Sequence, residues 1–166
     1  MNKTEILNSI LNIWNPEDFE EPTVLRAIYD GKSAPSDDMV KDFRNLDNDY
    51  ELSDEESDTL ANSTDDELRT ALTEYIKDFV EGQMDEEYEA ITEAVSEWFD
   101  DHCHSDDFDS ERERQQYFQD LINGEGDADY IYDEVIDEIE YQFLTEDEVS
   151  DKIDEAIVDE ASYWAD

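Results

Sequence analysis

The stretch TDDELRTALTEYIKDFVEG, Thr64 to Gly82, decides the fold class. Thr64-Asp65-Asp66-Glu67 is a capping box: the threonine hydroxyl accepts from the N–H three residues on, and the glutamate carboxylate accepts from the threonine's own N–H. Leu68, Ala71, Leu72, Tyr75, Ile76, Phe79 and Val80 then recur at three- and four-residue steps, which predicts an amphipathic helix, and Gly82 is placed to end it. The next stretch, Met84 to Asp101, puts Met84, Tyr88, Ile91, Val95 and Trp98 at alternating steps of four and three. Such a seam wants a partner helix. The preceding helix, folded back across Gly82 as an antiparallel hairpin, is the expected one.

Working outward, the same helical period continues in both directions. Upstream, Ile6, Leu7, Ile10, Leu11 and Trp14 form one stripe from Lys3 to Trp14, stopped by Pro16. Pro22 opens a helix with Val24, Leu25, Ile28 and Tyr29 that ends at Gly31, and Ser36 caps another with Met39, Val40, Phe43 and Leu46. The pattern weakens between Asp47 and Asn62, which reads as a loop and then a short helix over 54–62. Downstream, a corner at His102-Cys103-His104 precedes a helix over Ser110–Ile122. Asp127 is placed to cap a helix holding Ile131, Val135, Ile136, Ile139 and Phe143. A second capping box, Thr145-Glu146-Asp147-Glu148, opens a last helix with Val149, Ile153, Ile157 and Trp164. Nothing alternates at period two for long. The expected fold is all-α, a compact bundle of eight or nine amphipathic helices with a strongly acidic surface. The expected division is 1–62, less charged, and 63–166, acidic, with the two forming one continuous domain or sharing a core.

The charge is uneven. The chain of 166 residues carries a net −43, and Asp78 to Asp166 holds 33 acidic against three basic residues, Arg112, Arg114 and Lys152. Self-repulsion of this order usually leaves a chain disordered, but here large apolar side chains recur at helical spacing, so the carboxylates sit on a scaffold that folds. The sign excludes nucleic acid and anionic membrane as partners; it attracts basic protein surfaces and cations. No apolar window is long enough to span a bilayer, the N-terminal residues lack a signal-peptide pattern, and the single Cys103 excludes an internal disulfide. A cytoplasmic protein is expected.

Chemistry has little to draw on. His102, Cys103 and His104, among Asp100, Asp101, Asp106 and Asp107, are the one cluster of soft ligands, and adjacent positions converge poorly on one ion. The same three side chains are all that a histidine-based or nucleophilic site has, so no enzyme activity, metal site or cofactor is expected. Calcium loops starting at Asp127 or Asp47 fail at the glycine position, where Tyr132 and Leu52 stand. Loose territorial cation binding remains expected.

The carboxylates themselves carry the functional reading. B-DNA presents about one charge per 1.7 Å of axis, and a helix over 84–101 is roughly 27 Å long, matching about 16 phosphates. That helix carries Asp85, Glu86, Glu87, Glu89, Glu93, Glu97, Asp100 and Asp101. The segments 127–140 and 146–160 supply a second row through Asp133, Glu134, Asp137, Glu138, Glu140, Asp147, Glu148, Asp151, Asp154 and Glu155. Two such rows reach duplex charge density, so these eighteen are the candidate partner-binding residues.

In size, charge, helical period and acidic tracts such as Asp85-Glu86-Glu87-Tyr88-Glu89 and Asp133-Glu134-Val135-Ile136-Asp137-Glu138, the chain resembles phage-encoded acidic DNA mimics of the anti-restriction and anti-CRISPR type. The resemblance is one of overall character. It implies an inhibitor occupying the DNA-binding groove of a host defence nuclease or other DNA-processing enzyme. Three alternatives stay open: an immunity-type inhibitor of one nuclease or toxin through a local patch, with Tyr130, Tyr132 and Tyr141 as anchors; the solvating surface of a protein from a high-salt cytoplasm; and a chaperone for basic proteins. A homodimer through the less charged N-terminal helices is also compatible with the sequence.

Overall fold

A computed structural model describes residues 2–13, 16 and 20–165, without the side chains of residues 49 and 105. Among the described residues there are nine α-helices and no strand: α1 Lys3–Leu11, α2 Pro22–Tyr29, α3 Asp37–Arg44, α4 Leu46–Asp49, α5 Asp54–Asn62, α6 Asp65–His102, α7 Glu111–Ile122, α8 Ala128–Glu138 and α9 Glu146–Ala165. The all-α expectation is met. None of these helices is long and apolar enough to cross a membrane.

At Thr64, Thr145 and Ser36 the capping chemistry is where the sequence placed it. Glu67 N–H donates to Thr64 Oγ1 at 3.2 Å and Thr64 N–H to Glu67 Oε1 at 3.1 Å, and the Thr145/Glu148 pair repeats this at 3.2 and 2.9 Å. Ser36 caps α3 through Met39 N–H. The short helix over 54–62 is present, closed by a third capping box, Ser53 with Glu56.

The hairpin is not. Residues 65–102 form one continuous helix of 38 residues, and Gly82 lies inside it with an ordinary negative φ. A single glycine in a helix costs only about 1 kcal/mol, and this one has no positive φ to turn the chain, so the helical run continues through it.

The chain divides into two compact units, Met1–Gln83 and Met84–Asp166, in the middle of α6 rather than at 62/63. Residues 54–65 cannot be a boundary, because Arg44 of α3 donates to Leu60 O at 3.1 Å and Ser63 O at 2.9 Å and pairs with Asp65 at 2.7 Å. In this first unit α1 packs on α5, Lys3 pairs with Glu67 at 2.7 Å, and Arg69 joins Pro35 O and Asp37. Its core is Ile6, Leu7, Ile10, Leu11, Leu25, Ile28, Met39, Val40, Phe43, Leu46, Leu60, Leu68 and Leu72. Helix α1 stops at Leu11; Trp14 lies outside the described residues. Val24, expected in the α2 stripe, is exposed.

The second unit buries Met84, Ile91, Val95 and Trp98 of the α6 seam, leaves its Tyr88 half-buried, and adds Phe99, Phe118, Leu121, Ile131, Val135, Phe143, Leu144, Val149, Ile153 and Ile157. Phe99 stacks on Phe118 of α7 at 6.3 Å, and α7 and α8 both pack on α9. The seam's partners are therefore later helices. Helix α8 ends at Glu138, so Ile139 and Phe143 fall outside it. Asp127 holds the N-cap position without capping: its ψ of 6° is not the extended conformation a capping side chain needs. Its carboxylate instead accepts from the Tyr117 hydroxyl at 2.9 Å.

Candidate partner-binding surface

All eighteen candidate carboxylates belong to the second unit, whose 83 residues carry 31 acidic and three basic side chains. Sixteen of them are exposed; Glu87 and Glu148 are half-buried. On α6, Glu86, Glu89, Glu93, Glu97 and Asp100 follow one another at steps of three and four, within an arc of about 80° over roughly 21 Å of axis. Their face is opposite the buried seam. Counting all eight carboxylates from Asp85 to Asp101, the helix presents about one charge per 3 Å, close to one strand of B-DNA.

Glu87 does something else. Its carboxylate accepts from the N–H groups of Gln142 at 2.6 Å, Phe143 at 3.0 Å and Leu144 at 3.4 Å. These three successive donors lie in the connection between α8 and α9 and make a row of backbone N–H groups that suits an anion. Glu87 thereby holds the 139–145 connection against α6, with Phe143 and Leu144 buried beneath it. Glu148 is committed to its capping box. Both charges serve the scaffold, a role that helical spacing alone does not reveal.

The structure brings part of the two expected rows together. Asp85 and Tyr88 of α6 and Glu148, Asp151, Lys152 and Glu155 of α9 line a depression of about 410 Å³. Lys152 Nζ stands 3.6 Å from Glu155 Oε1 and 5.7 Å from the centre of the Tyr88 ring. In the sequence Lys152 reads only as a charge. Its spacing from Glu148 and Glu155 announced helical ion pairing, but its approach to Tyr88 depends on tertiary packing. Asp133, Glu134, Asp137 and Glu138 stand on α8, outside the depression, and Glu140 on the connection after it. Tyr130 projects from α8 at 71% exposure, while Tyr132 and Tyr141 are half-buried.

The His102–His104 corner diverges. His102 stacks on Trp98 at 4.5 Å, its Nδ1 2.9 Å from Trp98 O, and His104 meets the edge of Trp164. Cys103 points into the core, where burial pushes its thiol up to about 12, and burial also raises the Tyr117 phenol. A thiol so placed stays protonated and is a poor nucleophile and ligand. Among the described residues no group of three or more His, Cys, Asp or Glu side chains is placed to hold a metal ion.

No protein-family model, curated protein or solved structure matches the chain.

Proposed function

We propose that the second unit imitates nucleic acid and inhibits a DNA-processing enzyme by occupying its phosphate-binding groove. A host defence nuclease of the restriction or CRISPR type, met in the host cytoplasm, is the target class. The observation that carries this reading is the α6 stripe. Its five exposed carboxylates are fixed on one helix face, one about every 5 Å of axis, so a basic groove meets charges that need no ordering on binding. Their mutual repulsion is relieved when the partner's Lys and Arg arrive, which couples binding to charge.

The chain, immobilised and challenged with bacterial lysate at low salt, is expected to retain discrete DNA-processing enzymes. Duplex DNA should displace them, and affinity should fall linearly in log–log fashion with salt as DNA binding does. Retention of only a diffuse set of basic proteins, indifferent to competing DNA, would replace mimicry with a non-specific polyanion.

One observation favours a second reading. Tyr130, exposed at 71%, shares its face of α8 with Asp133, Glu134 and Asp137, the composition of an interface anchor. An immunity-type inhibitor acting through that patch would lose its partner on Tyr130→Ala alone.

A further inference from the structure

Lys152 is the one basic residue among the six that line the depression between α6 and α9; Asp85, Glu148, Asp151 and Glu155 are the acidic ones. It is also the only basic residue on the segments that carry the eighteen candidate carboxylates. Its ammonium lies over an aromatic face and beside a carboxylate. Those two groups are what recognise an alkylammonium or a guanidinium, so the chain's own lysine displays the chemistry that the depression accepts. One ammonium against four carboxylates leaves a local surplus of negative charge. Asp85 and Asp151 are exposed and, among the described residues, have no ion-pair partner.

We propose that this depression seats one arginine side chain of the basic partner, and that Lys152 is its resident placeholder. The inference rests on the basic-partner reading above. The Lys152 stem is long, unbranched and partly exposed, so its ammonium can swing to solvent at little cost while the stem stays packed. An arginine then stacks on Tyr88 and presents its planar fork to Asp85 and Asp151, which a lysine cannot do bidentately.

Calorimetric titration of the full chain with octa-arginine tests this, comparing the native protein with Lys152→Met, Lys152→Arg and Arg112→Gln. Lys152→Met and Arg112→Gln each remove one positive charge, but Arg112 stands on α7, which lines no part of the depression. Removing a like charge at contact range raises affinity by about fivefold at low salt. Arg112→Gln leaves it within about twofold, because screening weakens distant charges, and Lys152→Arg, a resident that holds the seat with its own fork, binds octa-arginine more weakly than the native chain. Tyr88 ring signals in NMR spectra shift on binding.

Equal gains from Lys152→Met and Arg112→Gln would overturn the placeholder while leaving the mimic reading intact. A loss of affinity in a Lys152→Met chain of native helicity would do the same. Should Lys152→Met fail to fold, Asp85→Asn is read against Asp133→Asn on α8: a larger loss at Asp85 supports the seat, and equal losses overturn it. No binding of octa-arginine by the native chain would sink both the seat and the basic-partner reading.

Discussion

Glu87 and Phe143 are joined by a hydrogen bond from the Phe143 N–H to the Glu87 carboxylate, 3.0 Å to Oε1 and 3.2 Å to Oε2. A charge counted among the displayed ones is thus spent on the fold. Glu87→Gln keeps the size but offers a single neutral acceptor to three donors. Charge-assisted bonds of this kind contribute about 1.5–3 kcal/mol, so the second unit should unfold at lower denaturant by that order. Glu86→Gln, one residue away and exposed, should leave stability unchanged or raise it. Equal effects in denaturant titrations would contradict the assignment.

Gly82 distinguishes a continuous helix from a hairpin. Nothing lies within 4 Å of where its Cβ would stand, and its φ is not positive. Gly82→Ala should therefore stabilise the protein by about 0.5–1 kcal/mol. Loss of stability by a comparable amount would mean that the residue needs glycine's freedom, as a turn does.

Cys103 predicts an alkaline limb. Its folded pKa, raised by burial from an ordinary 9.0 to about 12, means that between those values the unfolded chain has released a proton that the folded chain keeps. Stability is complete below about pH 9 and falls as pH rises through that window. Cys103→Ala should flatten this limb, although it loses packing in a filled core. Native protein should resist iodoacetamide at neutral pH and become alkylated on unfolding.

The α6 stripe and Tyr130 make opposite demands on a bound target. Under mimicry, Glu86→Lys, Glu93→Lys and Glu97→Lys weaken binding in cumulative steps and reduce its salt dependence, and Asp137→Lys and Glu138→Lys on α8 extend the series. Tyr130→Ala then changes affinity by less than about threefold. A complete loss on Tyr130→Ala, with the lysine variants near native, would transfer the function to the α8 patch.

The legible parts of this protein were local ones. Capping boxes at Thr64 and Thr145, the serine cap at Ser36 and the apolar period of each helix depend on neighbours within about four residues, so they could be read directly from the chain. So could the charge asymmetry, since sixteen of the eighteen candidate carboxylates are exposed, as helical spacing opposite an apolar stripe requires. Tertiary structure decided what depends on distant residues. Gly82 stays helical as the apolar residues beyond it bury against later helices, Asp127 turns to Tyr117 because its backbone is not extended, and Glu87 leaves the display because N–H groups 55 residues on donate to it. Lys152 meets Tyr88 only once α9 lies on α6. Sequence by itself determined an all-helical scaffold with its acid concentrated in one half. Only packing determined which of those acids are free to meet a partner, because a carboxylate's availability depends on the donors that reach it through space.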